Sequence, residues 1–532
     1  MQIHSPAVLS PRCVNLRHAA LACWLPIALL AFQSAAAQDG REQLRFTIEV
    51  DLGKDRGQSF GSLFEARDAN GRLVAGAGFQ DVYNTRFRTD RHTLQFFVRP
   101  ESRDEQFTLE RLPHPDLDCG VYLFDLDEQL YAWSSVRGNS VRRWDAESGE
   151  WVNELPPGVE SLATGDGACR VGDGILVFSG NAAAYDGRQI LAPPETGQRY
   201  NFYYALGHLC FYYYNGDEAH PACDVYACPW TPGEGPINLD DAHAVRVKFG
   251  REVPFAWGQW EDQIVTVSNW GGIYVFEAGV WKTTLEASEK SSYQVYSMLR
   301  WYDRALLAQY PSGHVFQYQG EEAVEIEGWP PRLPGVSPSA RECQSLSIYR
   351  GELFAGVWPW AEVWRYDRDV EQWHSLGRMF THPEITDETV HPYEAEAERF
   401  NLVLNHWGQR ATSMVPLGDA LYIGTSTKGT SEWDDRYDFL TEDQRREYGS
   451  VLRLTMPGNL AAQIEWKDGP IQLDFIARAD GLEIQQDGRT LARSNFNETV
   501  ELATDDLTLN WGDGIFGPLR GDMTEHEFKV GD

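Results

Sequence analysis

Basic residues are scarce in this chain of 532 residues. Only 46 lysines and arginines stand against 79 aspartates and glutamates, so the formal net charge is −33. Nucleic-acid binding needs basic surfaces that contact phosphates, and tight association with anionic membranes needs them too. The charge balance therefore excludes nucleic acid as the expected partner and disfavours binding to an anionic membrane surface.

Long hydrophobic runs are also missing, apart from one near the N-terminus. Residues 1–37 have the layout of a secretory signal peptide, with a basic start at Arg12, Arg17 and His18, an apolar stretch over 19–32 and small residues up to Ala37. The alternative is an uncleaved anchor, but a spanning helix needs roughly 20 apolar residues. We expect no membrane span and cleavage near Ala37, which leaves a secreted, periplasmic or cell-surface protein.

Cysteine is sparse, with eight residues in the chain and six beyond residue 37. An even number of cysteines in an exported protein is compatible with disulfides. Cys223 and Cys228 are the predicted local pair, because they would close a small loop. The alternative is a zinc site that adds His208 or His220, although a single Cys-x4-Cys spacing lacks a second pair of ligands.

Several catalytic motifs are absent from the sequence. It has no phosphate-binding glycine loop that ends in Lys-Ser/Thr, no His-Glu-x-x-His, no Gly-x-Ser-x-Gly and no sialidase Asp-box. Nucleotide hydrolysis, zinc proteolysis and α/β-hydrolase chemistry are therefore excluded. We expect no cofactor and no metal among the site residues; calcium is the exception left open, for the acidic insert over 433–448. The sequence leaves the oligomeric state open.

What the sequence has in abundance is aromatic side chains and turn formers. Aromatic residues make up 13%, and there are 48 glycines and 27 prolines, which favours short strands joined by turns. One pattern recurs seven times: an apolar strand, a small polar loop and a second apolar strand. The units begin at Leu130, Ile175, Leu209, Ile264, Leu306, Leu353 and Leu421. Repeats of about 40–50 residues are typical of four-stranded propeller blades.

Two of the units share a further detail. Trp144 precedes Trp151 by seven residues, and Tyr366 precedes Trp373 by the same distance. This spacing resembles kelch-like β-propellers, although the double glycine of that family is missing. The resemblance implies an all-β fold with a seven-bladed β-propeller over 117–458; six or eight blades, or an irregular β-sandwich, are the alternatives.

The two flanks, 39–116 and 459–532, lack the blade pattern but contain alternating strands and a hairpin signal at Asp487-Gly488. Propeller rings bring their ends close together, so we predict one flanking β-sandwich built from both termini. The stretch from Trp511 to Met523 is weakly similar to the last strands of laminin-G and concanavalin-like jelly rolls. An alternative, compatible with the first, uses one flank strand to close the last blade.

The loops between the second and third strands of each unit should open on one face of a propeller, where ligands usually bind. Rings, amides and cations on such a face suit a sugar chain. The partner predicted from this composition is an extracellular polysaccharide. The predicted substrate-binding residues are Trp257, Trp270, Asn269, His314, Trp358, Trp360, Trp407 and Lys428.

A sharper hypothesis concerns elimination on a uronate, which needs a base, an acid and a cation for the carboxylate. The candidates are His406 or His220 as base, Tyr214 or Tyr310 as acid, and Arg410 or Arg341 as carboxylate partner. Several polysaccharide lyases are seven-bladed propellers with His, Tyr and Arg in these roles, so the fold-level resemblance favours a lyase acting on an acidic glycan. The alternative is a structural role, in which His406 and Arg410 pair with acids such as Glu394 or Glu396.

Two other functions stay open. A non-catalytic carbohydrate- or protein-binding scaffold would present the same loop face without a converging set of titrating groups. A glycoside hydrolase would need two carboxylates roughly 5–10 Å apart, such as Asp217 with Glu362 or Asp434.

Overall fold

The computed structural model describes residues 43–84, 90–100, 107–117, 119–134, 140–155, 165–179, 181–217, 219–429 and 432–531. The predicted signal peptide over 1–37 lies outside these residues. Within the described part, no helix is both long and apolar enough to cross a membrane.

The N-terminal flank contributes six strands. They are β1 (Gln43–Asp51), β2 (Gly61–Arg67), β3 (Leu73–Phe79), β4 (Val82–Asn84), β5 (Thr93–Val98) and β6 (Thr108–Arg111).

The middle of the chain forms successive groups of antiparallel strands. The first three groups are β7 (Tyr122–Leu126), β8 (Gln129–Ser134), β9 (Ser140–Asp145) and β10 (Glu150–Val152); β11 (Gly165–Val171), β12 (Gly174–Ser179), β13 (Ala182–Tyr185) and β14 (Arg188–Leu191); β15 (Gln198–Ala205), β16 (His208–Tyr214), β17 (Cys223–Pro229) and β18 (His243–Arg246), with a 3-10 turn at Leu239–Asp241.

The remaining groups complete the middle segment. They are β19 (Pro254–Trp260), β20 (Gln263–Ser268), β21 (Ile273–Glu277) and β22 (Val280–Leu285); β23 (Gln294–Trp301), β24 (Arg304–Tyr310), β25 (Val315–Tyr318) and β26 (Ala323–Glu325); β27 (Glu342–Tyr349), β28 (Glu352–Trp358), β29 (Glu362–Asp367) and β30 (Gln372–Arg378); β31 (Gln409–Leu417), β32 (Ala420–Thr427) and β33 (Val451–Thr455), with helices α1 (Glu394–Arg399) and α2 (Glu442–Arg446).

The C-terminal flank adds six strands. They are β34 (Asn459–Gln463), β35 (Ile471–Arg478), β36 (Gly481–Gln486), β37 (Arg489–Asn495), β38 (Thr508–Trp511) and β39 (Asp522–Gly531).

The middle groups form a closed ring, and the predicted all-β propeller fold is confirmed. Among the described residues there are seven such sheets, numbered here one to seven in chain order, and each repeat found in the sequence supplies the second and third strands of one sheet. The first strands of most neighbouring sheets contact each other, including β7 with β31, which closes the circle. Sheets two and three also meet through Phe178 and Phe202, whose rings stack with centroids 5.2 Å apart.

The aromatic spacing of the sequence corresponds to a hairpin. Trp151 pairs with Trp144 across β9 and β10, and Trp373 pairs with Tyr366 across β29 and β30. In both hairpins the ring centroids lie 5.2 Å apart. Such cross-strand aromatic pairs stabilise the outer edge of a sheet.

Two strands of the N-terminal flank join the ring. β6 pairs with β33 and supplies the fourth strand of sheet seven. β4 pairs with β23 on the inner side of sheet five and also contacts β19 and β27. The chain itself therefore fills part of the centre of the ring.

The other flank strands form two five-stranded sheets, called the flanking sheets below. Their orders are β37-β36-β35-β1-β39 and β34-β5-β3-β2-β38, so each contains strands from both ends of the described chain. One hydrophobic core joins them, with Phe46, Phe64 and Phe475 among its buried members. They contact the ring where its first and second strands turn, for example at Gly351, whose Cα lies against the ring of Phe97.

The predicted disulfide between Cys223 and Cys228 is wrong. Cys223 and Cys228 are not joined to each other and are both free thiols. Cys223 and Cys228 lie five positions apart on β17, so their side chains point to opposite faces of the strand. At about 3.3 Å per residue their Cα atoms are too far apart for a disulfide. The same placement keeps the two thiols from sharing one zinc ion.

Candidate functional site

One edge of the ring collects the ends of the second strands and the beginnings of the first strands. Tyr310 ends β24, Trp358 ends β28, and Lys428 follows the last residue of β32. Glu342 begins β27, and Arg410 is the second residue of β31. Because neighbouring strands are antiparallel, these residues from sheets five, six and seven lie at the same end of the ring.

Isolated β-bridges connect the loops on this face. The residue pairs Trp270–Tyr293, Ser312–Arg341 and Trp360–Gln409 each join the loop after a second strand to the segment that leads into the next sheet. The bridges fix the loops of sheets four to seven relative to each other. Side chains on these loops are therefore presented by a rigid framework.

The centre of the candidate site is a lysine held over two aromatic rings. The Nζ atom of Lys428 lies 4.6 Å from the ring centroid of Trp358 and 5.1 Å from that of Tyr310. Both distances are within the range of cation–π attraction. The side chain of Lys428 is 23% exposed, so the ammonium group is both held in place and open to solvent.

A buried carboxylate lies beneath the lysine. Glu342 is fully buried and its Oε2 lies 3.6 Å from Lys428 Nζ and 3.3 Å from Arg410 Nη2. One carboxylate thus faces two cations at this position of a strongly acidic chain. An anion could bind here through the partly exposed Lys428 ammonium, as charge-assisted hydrogen bonds to ammonium groups are strong.

A histidine completes the site. The ring of His391 packs against Trp358, with centroids 5.0 Å apart, and its Nδ1 lies 2.9 Å from Glu394 Oε1. We call Tyr310, Glu342, Trp358, His391, Arg410 and Lys428 the Lys428 cluster. Burial and the nearby Lys428 lower the pKa of His391, while Glu394 acts in the opposite direction.

Three of the predicted catalytic residues lie at or next to the Lys428 cluster. Tyr310 and Arg410 belong to it, although Arg410 is held by Glu342 rather than by Glu394 or Glu396. His406 is next to it along the backbone, since His406 and Gly408 accept hydrogen bonds from Gly429 and Lys428. The His406 ring is buried against Trp407, and burial lowers its pKa.

The other predicted catalytic residues lie elsewhere on the ring. Arg341 is buried, donates from Nη2 to the carbonyl of Pro331 at 2.9 Å and lies 4.0 Å from Glu362. His220 is exposed in sheet three beside Asp217, and Tyr214 ends β16 of the same sheet.

The predicted substrate-binding residues fall into two groups. Trp257, Trp358, Trp360 and Trp407 are buried; Trp407, for example, packs among Trp433, Tyr437, Phe439 and Tyr448. Trp270, Asn269, His314 and Lys428 are more accessible. Asn269 accepts a hydrogen bond from the backbone N–H of Val253, and His314 pairs with Glu325 at 2.7 Å. Sugar contact by these residues stays a prediction.

His391 is not among the residues predicted from the sequence, and Glu394 was expected only as a partner of His406 or Arg410. The cue for both lies in the order of the residues, because His391 precedes α1 by three positions and Glu394 begins that helix. An i,i+3 pair at a helix start can bond locally, as it does here. Glu342 was missed because it begins a strand of mixed polar and apolar residues, where a buried acid has no periodic signal.

The structure also limits other interpretations. In the part of the chain that is described, no three His, Cys, Asp or Glu side chains are grouped to hold a metal ion. Within the insert, Asp434 bonds Arg436, and Asp438 bonds Arg399. Calcium binding by the insert stays a prediction.

A surface cleft of about 940 Å3 lies between β37 and sheet seven. Its two arginines, Arg350 and Arg453, are already paired with Glu352 and Asp419.

A substitution at Gly408 tests how closely the Lys428 cluster is packed. A Cβ atom at this position would lie 2.1 Å from Trp358 Nε1 and 3.1 Å from the carbonyl oxygen of Asn405. Gly408→Ala should displace the Trp358 ring and lower the free energy of unfolding by about 1–3 kcal/mol, as overpacking does. Urea denaturation measures the change, and Gly235→Ala, with open space around its Cβ, is the control. Equal stability of the two variants would refute the close packing.

Comparisons with known proteins add little to this geometry. The chain matches no protein-family model and no curated protein. It is similar to the WD40 beta propeller domain of Doa1 (11% identity, TM-score 0.37, 66% of this chain and 98% of that one). It is also similar to YCF48 bound to D1 peptide (10%, 0.38, 67% and 97%) and to BamB from Moraxella catarrhalis (12%, 0.24, 76% and 96%).

Proposed function

We propose that this chain is an exported protein that binds an acidic polysaccharide at the Lys428 cluster and cleaves it by elimination. In this proposal the chain is a seven-bladed, kelch-like propeller with a flanking β-sandwich, secreted, periplasmic or on the cell surface after cleavage near Ala37. The single observation that carries the proposal is the partly exposed Lys428 ammonium, which lies over the rings of Tyr310 and Trp358.

The ligand class follows from the charges and rings of the cluster. The Lys428 ammonium would bind the carboxylate of a uronate, and the half-buried Tyr310 offers a ring and a hydroxyl to the sugar. Net protein charge repels an acidic polymer, so binding depends on this local cation and should weaken with salt.

Lys428→Met should weaken binding of a uronate polymer about 10- to 100-fold, because it removes a charge-assisted hydrogen bond. Calorimetry with uronate homopolymers, and with a neutral glucan for comparison, measures the affinity. Lys282→Met is the matched control, since it removes an exposed lysine that pairs with Glu277 in sheet four. Unchanged affinity in Lys428→Met, or equal affinity for the neutral glucan, would refute the proposed site.

A non-catalytic scaffold is the second candidate. It is favoured by the separation of the predicted acid–base residues, since His220 and Tyr214 belong to sheet three whereas Tyr310 and Arg410 belong to sheets five and seven. Binding of acidic polysaccharide without release of unsaturated product would support it. A glycoside hydrolase is less well supported, because Glu362 is buried and bonded to Trp364, and Asp434 is bonded to Arg436.

A further inference from the structure

His391 has the hydrogen-bonding state that a proton acceptor needs. Its Nδ1 lies 2.9 Å from Glu394 Oε1, and the same oxygen accepts the backbone N–H of His391 at 3.0 Å. A carboxylate at Nδ1 places the ring proton on that nitrogen. Nε2 then carries a lone pair.

The Nε2 atom of His391 is buried and has no hydrogen-bond partner among the residues that the structure describes. A buried polar atom without a partner is uncommon in folded proteins. The ring that carries it packs on Trp358, which in turn lies under Lys428. An unsatisfied acceptor and the cation that would hold an anionic ligand thus pack on the same tryptophan.

The imidazole is neutral at neutral pH. Burial lowers the pKa of His391, Lys428 lowers it further, and Glu394 raises it in part. Glu394 from its own segment and Lys428 from sheet seven are the charged groups that act on the ring, with Glu342 and Arg410 beyond Lys428. A neutral imidazole can accept a proton, whereas the protonated form cannot.

We propose that His391 Nε2 is the proton acceptor of the Lys428 cluster and that Glu394 is its positioning residue. This inference rests on the proposed function, because Lys428 must first bind the uronate carboxylate. It replaces His406 and His220 as the base.

The reaction would proceed as an elimination. His391 Nε2 takes the proton from C5, and the C5–H electron pair becomes the C4–C5 double bond. The bond between C4 and the glycosidic oxygen breaks, and that oxygen takes the proton of Tyr310 Oη. Water then receives the proton from the imidazolium and returns one to the tyrosinate, so that the enzyme is restored.

Access to Nε2 requires a neighbouring side chain to move. Trp358 is fully buried and rigid, whereas Lys428 is a flexible, partly exposed side chain. A bound carboxylate would attract the ammonium group away from the two rings. Catalytic hydrogen bonds often form only in the substrate complex. Here, the movement of Lys428 on substrate binding would give the substrate access to His391 Nε2.

The test compares His391→Gln and Glu394→Gln with the unaltered chain on uronate polymers. Release of unsaturated product, followed by ultraviolet absorbance, should fall about 100-fold or more in His391→Gln, with unchanged KM. In Glu394→Gln, kcat should fall about 10-fold, and the acid limb of the pH profile should move to lower pH because the carboxylate that raises the pKa of His391 is gone. His526→Gln, in β39, is the control and should match the unaltered chain.

The outcomes separate this inference from the proposed function. Wild-type rates in His391→Gln, or an unshifted acid limb in Glu394→Gln, would overturn the role of the pair. Binding of the polymer by the unaltered chain with no product would overturn both the proton-acceptor role and the proposed cleavage, while leaving the binding site intact. Absence of all binding to acidic polymers would refute the proposed function itself. Thermal denaturation of both variants distinguishes a lost base from a lost fold.

Discussion

Arg99→Met is expected to lower the free energy of unfolding by about 3–5 kcal/mol. Arg99 extends from the end of β5 in the flanking sheets into sheet six, and its side chain is 2% exposed. It donates to Asp367 at 2.8 Å and to Glu352 at 3.0 Å. Removing the guanidinium leaves buried carboxylates without one of their cations, which costs far more than losing a surface ion pair.

Urea or thermal denaturation of the purified variant measures this loss. Arg143→Met is the matched control, because Arg143 pairs with the exposed Glu154 at 2.8 Å. The control should change the free energy of unfolding by less than about 1 kcal/mol. Equal effects of the two substitutions would show that Arg99 does not join the flanking sheets to the ring in the way described.

Glu342→Gln is expected to have a similar effect on stability, again about 3–5 kcal/mol, by removing the buried charge that faces Arg410 and Lys428. The two cations would then repel each other in a buried environment. The affinity for an acidic polymer should rise at the same time, because Glu342 no longer competes for Lys428.

Two measurements check this prediction: denaturation for the fold, and calorimetry with a uronate polymer for the affinity. Glu277→Gln is the control, since it alters an equivalent but more exposed Glu–Lys pair in sheet four. A stable Glu342→Gln variant with unchanged affinity would mean that the carboxylate neither anchors the two cations nor tunes the site.

The repeat pattern in the sequence predicted most of the fold. Each sequence unit contains a hairpin whose strands are adjacent in the chain, such as β28 and β29, so local periodicity was enough to find it. β4 and β6 were not assigned this way, because each pairs with a strand more than two hundred residues away in sequence. Such pairings depend on how the ring closes, and short segments of three or four residues have no periodicity of their own.

The candidate site was only partly visible in the sequence. Strand order alone predicted that three of its residues share a face, because they lie at or just after the ends of second strands: Tyr310, Trp358 and Lys428. His391 lies in the long irregular segment between sheets six and seven, where tertiary packing on Trp358 decides its position. Ring burial also separated packing residues such as Trp257 from accessible ones such as Trp270, which composition could not do.

The proposed function requires uronate cleavage at the Lys428 cluster. The decisive measurement incubates the mature chain and its His391→Gln variant with a panel of uronate polysaccharides and follows the ultraviolet absorbance of the unsaturated product. We expect the mature chain to release product from at least one polymer. The variant should release about 100-fold less product while binding the polymer with the same affinity. Product formed equally by both, or by neither across the panel, would contradict it.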